Sequence, residues 1–233
     1  MPLSEVNRNR MKNNMKHTFH TILGRITSKR IVPVIVLDDE EQAEPLAETL
    51  LKAGLDIMEV TFRTPAAEAS IRRIAKHIPE ILLGAGTVLG PDQLNRAADA
   101  GASFAMAPGL NEDVVHAADK AGILMFPGIM TPSDVEKALS LHCRILKFSP
   151  AEAAGGVNML KALESSYSHT GVKFLPTGGI GPNNLRVYLE RPSVAAIGGS
   201  WIAERKMIAA KDWDAIEKLT RDALAIAASV AVR

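Results

Sequence analysis

Eight short apolar runs recur along the chain, at residues 31–37, 57–62, 81–87, 104–108, 124–129, 145–150, 172–177 and 194–198. Each is followed by a stretch of helical periodicity, at 41–53, 65–77, 91–100, 111–121, 131–141, 155–165, 182–190 and 209–230. No other feature narrows the fold as much. Continuous apolar runs of this length are what parallel strands look like when both sheet faces are covered. Strands alternating with helices argue for βαβ units. Eight such units, with no composition shift or linker between them, predict an α/β fold: a single (β/α)8 TIM barrel over residues 17–233. An open doubly wound sheet is the alternative that a strand count leaves standing. An extra N-terminal helix, at 17–28, is expected to flank the lower end of the barrel. Local punctuation fits: Pro65 is expected at the first position of a helix, Asn111 at an N-cap, Pro132 just inside a start, and Gly54, Gly101 and Gly122 at helix ends. Residues 1–16 are polar and carry Arg8, Arg10, Lys12 and Lys16 without an apolar segment, which excludes a standard secretory signal and predicts a disordered extension; Met11 and Met15 are alternative starts.

Charge and composition exclude several function classes. The 27 basic and 26 acidic residues nearly cancel, and no block of like charge marks a nucleic-acid or membrane surface. Aromatic residues make up only 4%, too few for a base-stacking platform. No apolar run reaches the roughly 18 residues needed to span a bilayer. The one cysteine, Cys143, cannot form an internal disulfide, which points to a reducing cytoplasm and a small structural thiol. The histidines at 17, 20, 77, 116, 142 and 169 include none at a strand end with a convergent partner, so no metal site is expected; His17-x-x-His20 has suggestive spacing, but on a terminal helix such a pair is usually solvated. No Gly-x-Gly-x-x-Gly motif opens a helix after the first run, and no Gly-x-Ser-x-Gly elbow is present.

In a barrel, chemistry sits at the carboxyl ends of the strands. The sixth run, Ile145-Leu146-Lys147-Phe148-Ser149-Pro150, holds a lysine among apolar residues. Burial favours the neutral form of an amine, and a neutral amine can attack a ketone. The plain alternative is a lysine whose stem snorkels to solvent. In the second run, alternation puts Glu59, Thr61 and Arg63 on one face and Met58, Val60 and Phe62 on the other. An internal Glu59–Arg63 ion pair is one reading; a proton shuttle beside a carboxylate fork is the other. Lys147 shares its face with Ile145 and Ser149. A lysine, a glutamate and an arginine converging on one mouth suit a keto-acid substrate. Thr177-Gly178-Gly179-Ile180 and Gly198-Gly199-Ser200 close the seventh and eighth runs, the positions where this fold commonly binds phosphate. Thr87 could donate a hydroxyl to a carboxylate, and Pro108 could form a stiff apolar wall. Turn punctuation is the plainer reading of Gly84-Ala85-Gly86-Thr87, Pro108-Gly109 and Pro127-Gly128.

These residues together resemble a known family. Pro33-Val34-Ile35-Val36, Glu59-Val60-Thr61-Phe62-Arg63-Thr64, Gly84-Ala85-Gly86-Thr87-Val88-Leu89, Ala107-Pro108-Gly109-Leu110, Lys147-Phe148-Ser149-Pro150-Ala151-Glu152, Pro176-Thr177-Gly178-Gly179-Ile180 and Ile197-Gly198-Gly199-Ser200-Trp201 match, in order, the 2-keto-3-deoxy-6-phosphogluconate aldolase/4-hydroxy-2-oxoglutarate aldolase family of class I aldolases. The resemblance implies that Lys147 forms a Schiff base and that Glu59 is the general acid/base. It implies that Arg63 and Thr87 hold a pyruvate carboxylate, with Pro108 lining that pocket. Gly178, Gly179, Gly199 and Ser200 would hold a phosphate, and Thr177 would lie along the aldehyde half. It further implies a homotrimer, a small-molecule substrate and no cofactor. Relatives of the phosphogluconate type commonly carry Phe where this chain has Ser149, a difference that bears on the preferred aldehyde. Cleavage of 4-hydroxy-2-oxoglutarate to pyruvate and glyoxylate is the alternative within the family. Outside it stand a phosphosugar isomerase that uses Glu59 and leaves Lys147 structural, and a non-catalytic phosphosugar-binding barrel.

Overall fold

The computed structural model describes residues 19–231. The expected disordered extension at 1–16, and His17, lie outside the described residues. β1 (Ile31–Ile35), β2 (Ile57–Thr61), β3 (Leu82–Gly86), β4 (Phe104–Met106) and β5 (Leu124–Phe126) pair in succession, all parallel, and β1 pairs on its other side with β9 (Ile197–Gly199). β6 (Gly128–Ile129), β7 (Ile145–Phe148) and β8 (Lys173–Phe174) form a second parallel run. The two runs join at both seams. β5 leads straight through Pro127 into β6, and Thr177, beyond β8, bridges Gly198 of β9. The sheet therefore curls into the expected barrel, and the open-sheet alternative falls away.

The expected fifth strand, 124–129, is divided into β5 and β6 by Pro127. Proline has no N–H to give the ladder. Its carbonyl still accepts, from Lys147 N at 2.8 Å, so the wall is interrupted on one side only. Every residue of β1, β2 and β3 is buried, as the continuous apolar runs require. Each Leu or Ile side chain packed between sheet and helices is worth about 1.5–3 kcal/mol.

The helices are α1 over 19–29, α2 (Ala43–Lys52), α3 (Ala67–His77), α4 (Pro91–Ala100), α5 (Glu112–Ala121), α6 (Pro132–Ser140), α7 (Gly156–Tyr167), α8 (Leu185–Leu189), α9 (Arg205–Ala209) and α10 (Trp213–Ser229). Asn111 caps α5 by accepting from Asp113 N, and Thr131 forms a capping box with Asp134 at α6. Gly101 and Gly122 end α4 and α5 in the left-handed conformation, at φ 106° and 71°. α1 buries Ile22 and Ile26. Arg25 donates to Asp56 Oδ2 at 2.7 Å and Lys29 to Gly54 O at 2.8 Å, both just before β2. The extra helix thus covers the amino-terminal end of the barrel, opposite the mouth.

Three expectations are corrected. Pro65 does not open α3. It lies in a turn in which Ala67 N donates to Thr64 O at 3.3 Å, and the helix begins at Ala67. The run 182–190 is helical only over α8, because Asn184 turns back to accept from Gly181 N at 2.8 Å. The run 209–230 holds the end of α9 and then α10. Lys211 adopts φ 54° between them, and Asp212 starts α10 by accepting from Ala215 N. Cys143 is buried, and burial pushes its thiol up to about 11, in keeping with a structural thiol. Among the described residues no helix is long and apolar enough to cross a membrane.

Candidate active site

Glu59 and Lys147 meet inside the barrel. Lys147 Nζ donates to Glu59 Oε1 at 3.0 Å and lies 3.4 Å from Oε2. Glu59 is 0% and Lys147 5% exposed. β2 and β7 stand on opposite walls, so this contact can only cross the interior. The lysine does not snorkel. A buried ion pair seldom repays the desolvation of its two charges. Two aliphatic residues of similar volume are often at least as stable in such a place, so stability alone does not account for the pair.

Arg63 lies in the turn after β2, exposed, and does not pair with Glu59. Its Nε donates to Thr87 Oγ1 at 3.0 Å. Thr87 follows Gly86, the residue that pairs with Thr61 at the end of β2, so both side chains stand on the rim beside Glu59. Thr87 adopts φ 55°, which a β-branched residue rarely does. Such strain is retained chiefly where a side chain must point in one direction. Thr61, on the same strand face as Glu59, donates to Ile35 O at 2.9 Å and is a wall residue. The rim pair can present a planar fork and a hydroxyl to a carboxylate. Arg63→Lys would keep the charge and lose the fork, and we expect KM for a keto acid to rise about tenfold with kcat little changed. Steady-state kinetics on the variant checks this.

The glycines of β3 are not turn punctuation. Gly84 and Gly86 sit within the strand, where a Cβ on Gly84 would lie 2.1 Å from the Phe104 ring and one on Gly86 2.0 Å from Glu59 Oε1. They give up their own side chains so that Phe104 and Glu59 can enter a narrow interior. Gly86→Ala should displace the Glu59 carboxylate without altering it, and a shift of about 1 Å lowers kcat by roughly 10²-fold. Wild-type kcat in that variant would show that the carboxylate's position is immaterial. A Cβ on Gly128 would meet the Pro108 carbonyl at 2.2 Å, and Gly128 pairs with Lys147. Pro108 is therefore one strand away from the lysine, exposed at the mouth. Ser149 follows β7, half-buried, and its N–H donates to Ile129 O at 3.3 Å.

Thr177, Gly178, Gly179, Gly198, Gly199 and Ser200 are gathered on the adjoining arc of the rim. A Cβ on Gly198 would fall 2.2 Å from Thr177 Oγ1, so this glycine admits the threonine hydroxyl. A Cβ on Gly199 would strike the Trp201 ring at 2.1 Å, which makes Gly199 a packing glycine as well. Gly178 and Gly179 turn through φ 105° and 77°. Among the described residues, the N–H groups of Gly178, Gly179 and Ser200 donate to no other protein group. Free amides clustered at a strand end are suited to an anion. Sequence reasoning found every one of these rim residues, but it did not find the space-making role of Gly86, Gly128 and Gly198. Among the described residues no group of three or more His, Cys, Asp or Glu could hold a metal ion.

Comparison with known proteins points to one family. The family model for KDPG and KHG aldolase matches residues 22–219. The KHG/KDPG aldolase of Escherichia coli is 44% identical over 211 residues, covering 91% of this chain and 97% of the relative. The solved structure of a KDPG aldolase from Legionella pneumophila, with pyruvate captured as a covalent carbinolamine intermediate, superposes with a TM-score of 0.82 at 38% identity, covering 86% of this chain and 96% of that one. That of the 2-keto-3-deoxy-6-phosphogluconate aldolase of Zymomonas mobilis, with 3-phosphoglycerate, gives a TM-score of 0.81 at 38% identity, covering 91% of this chain and 99% of that one.

Proposed function

Since the chain belongs to the KDPG and KHG aldolase family, we propose that it cleaves 2-keto-3-deoxy-6-phosphogluconate to pyruvate and glyceraldehyde 3-phosphate through an imine on Lys147. The observation that carries this reading is the buried contact of Lys147 Nζ with Glu59 Oε1 at 3.0 Å, within proton-transfer reach. Glu59 takes the ammonium proton as the amine adds to the C2 ketone, then returns a proton as the carbinolamine loses water. The protonated imine draws electrons from the C3–C4 bond. That bond breaks when Glu59, directly or through a water, removes the proton of the C4 hydroxyl. The aldehyde leaves, and the enamine of pyruvate is protonated and hydrolysed. Arg63 and Thr87 orient the carboxylate, and Pro108 walls that end. Thr177 lies along the aldehyde half, and the amides at Gly178, Gly179 and Ser200 receive the phosphate, with Gly198 and Gly199 completing that arc of the rim. The protonated imine is the electron sink, so the route draws on no metal or organic cofactor.

Ser149 favours a second substrate. A small polar side chain beside the nucleophile leaves room and a hydroxyl for glyoxylate, so cleavage of 4-hydroxy-2-oxoglutarate is the companion activity. Measuring kcat/KM on both substrates tests the order. The proposed order predicts the higher value for the phosphorylated one; a higher value for 4-hydroxy-2-oxoglutarate would reverse it. We also propose that residues 17–233 act as one unit, in the cytoplasm, as a homotrimer. The free, buried Cys143 supports a reducing compartment, and the family resemblance supports the trimer. Sedimentation equilibrium at the mass of three 25.0 kDa chains is the expected result.

A further inference from the structure

Beneath the Gly178–Gly179 turn lies a polar contact for which the proposed chemistry has no use. Tyr188, on α8, is 0% exposed, and its hydroxyl donates to Glu152 Oε1. A buried tyrosine hydroxyl requires an acceptor. Glu152 belongs to the loop after β7 and underlies the turn. A Cβ on Gly179 would come within 2.7 Å of Glu152 Cβ and Cγ. Glu152 N donates to Gly178 O at 3.1 Å, and Ala151 N donates to Thr177 O at 2.8 Å. From the other side, Asn184 Nδ2 donates to Gly179 O at 3.1 Å. The turn is therefore clasped between the loop after β7 and the start of α8. Glu152 is itself exposed, so the contact with the buried hydroxyl, not burial, is what holds its carboxylate in place. Released, it could swing beside amides that are to bind an anion, where like charge is repelled.

We propose that Tyr188 and Glu152 are a positioning pair that fixes the Gly178–Gly179 turn, holds the carboxylate away from its amide face, and so sets affinity for the phosphorylated half of the substrate. This rests on the phosphate assignment made above. The pair does not touch the carboxylate end or the nucleophile. Its loss should therefore appear as weaker binding of phosphate alone.

The test uses the full chain, with inorganic phosphate as a competitive probe. In the wild type, phosphate should compete with 2-keto-3-deoxy-6-phosphogluconate. In Tyr188→Phe, both KM for that substrate and the inhibition constant of phosphate should rise roughly tenfold, the loss of about one charge-assisted hydrogen bond, with kcat little changed. Constants for 4-hydroxy-2-oxoglutarate should not move. Glu152→Gln, whose amide oxygen still accepts from Tyr188, should behave as wild type. Should Tyr188→Phe fold poorly, Glu152→Ala tests the turn-fixing half alone: the contact is lost and the repelling charge with it, so both phosphate-dependent constants should rise, by less than about tenfold, with those for 4-hydroxy-2-oxoglutarate unmoved, and no rise overturns the proposal. If phosphate competes in the wild type but Tyr188→Phe leaves both constants unchanged, or raises KM equally on the two substrates, the pair is a packing contact and the proposal falls while the phosphate site stands. If phosphate fails to compete in the wild type, the phosphate reading falls and the pair's role falls with it.

Discussion

Lys147→Ala should lower kcat/KM for aldol cleavage by at least about 10⁵-fold, because it removes the nucleophile of the imine route and leaves nothing equivalent in its place. The variant should also be less stable. Glu59, 0% exposed, would lose its ammonium partner, and an uncompensated buried charge costs about 3–5 kcal/mol. The two effects separate in the double variant Lys147→Met with Glu59→Gln. Both charges are gone there, so its urea midpoint should recover toward wild type while activity stays absent. Turnover within about 100-fold of wild type in Lys147→Ala would return the lysine to a structural role and favour proton-transfer chemistry at Glu59 without an imine.

Glu59→Gln should slow cleavage by roughly 10²–10⁴-fold while pyruvate still binds. The amide oxygen can still accept from Lys147 at the 3.0 Å the carboxylate now uses, so the lysine stays in place. What is lost is the proton acceptor for the C4 hydroxyl. Set beside Gly86→Ala, which moves the carboxylate and keeps its chemistry, the variant separates position from proton transfer. Single-turnover kinetics with pyruvate saturation measured separately reads both. An unchanged rate in Glu59→Gln would leave the carboxylate as no more than the lysine's counter-ion.

The barrel was legible because parallel strands buried on both faces leave continuous apolar runs, and the helix ends at Gly101, Gly122, Asn111 and Pro132 carry residues suited to a left-handed turn, a cap or a first helical position. The breaks were harder to see. Pro127 sits inside an apolar run and interrupts only the donor side of the ladder. Lys211, at φ 54°, divides α9 from α10 with a residue that carries no signature of that conformation. For the site, alternation along a strand identifies the inward face but not the partner. It left Glu59–Arg63 open as an ion pair, whereas barrel closure brings Glu59 to Lys147 and lets Arg63 reach Thr87. The space above a glycine is less legible still. Gly86 and Gly198 look like strand ends until the structure shows Glu59 and Thr177 occupying the room they leave.

The imine on Lys147 is tested most directly by incubating the protein with pyruvate, reducing with borohydride, and mapping the modified peptide by mass spectrometry. One stable adduct is expected, on Lys147, absent without pyruvate and absent in Lys147→Ala. No adduct under conditions where pyruvate binding is demonstrated, or an adduct on a different lysine, would contradict it.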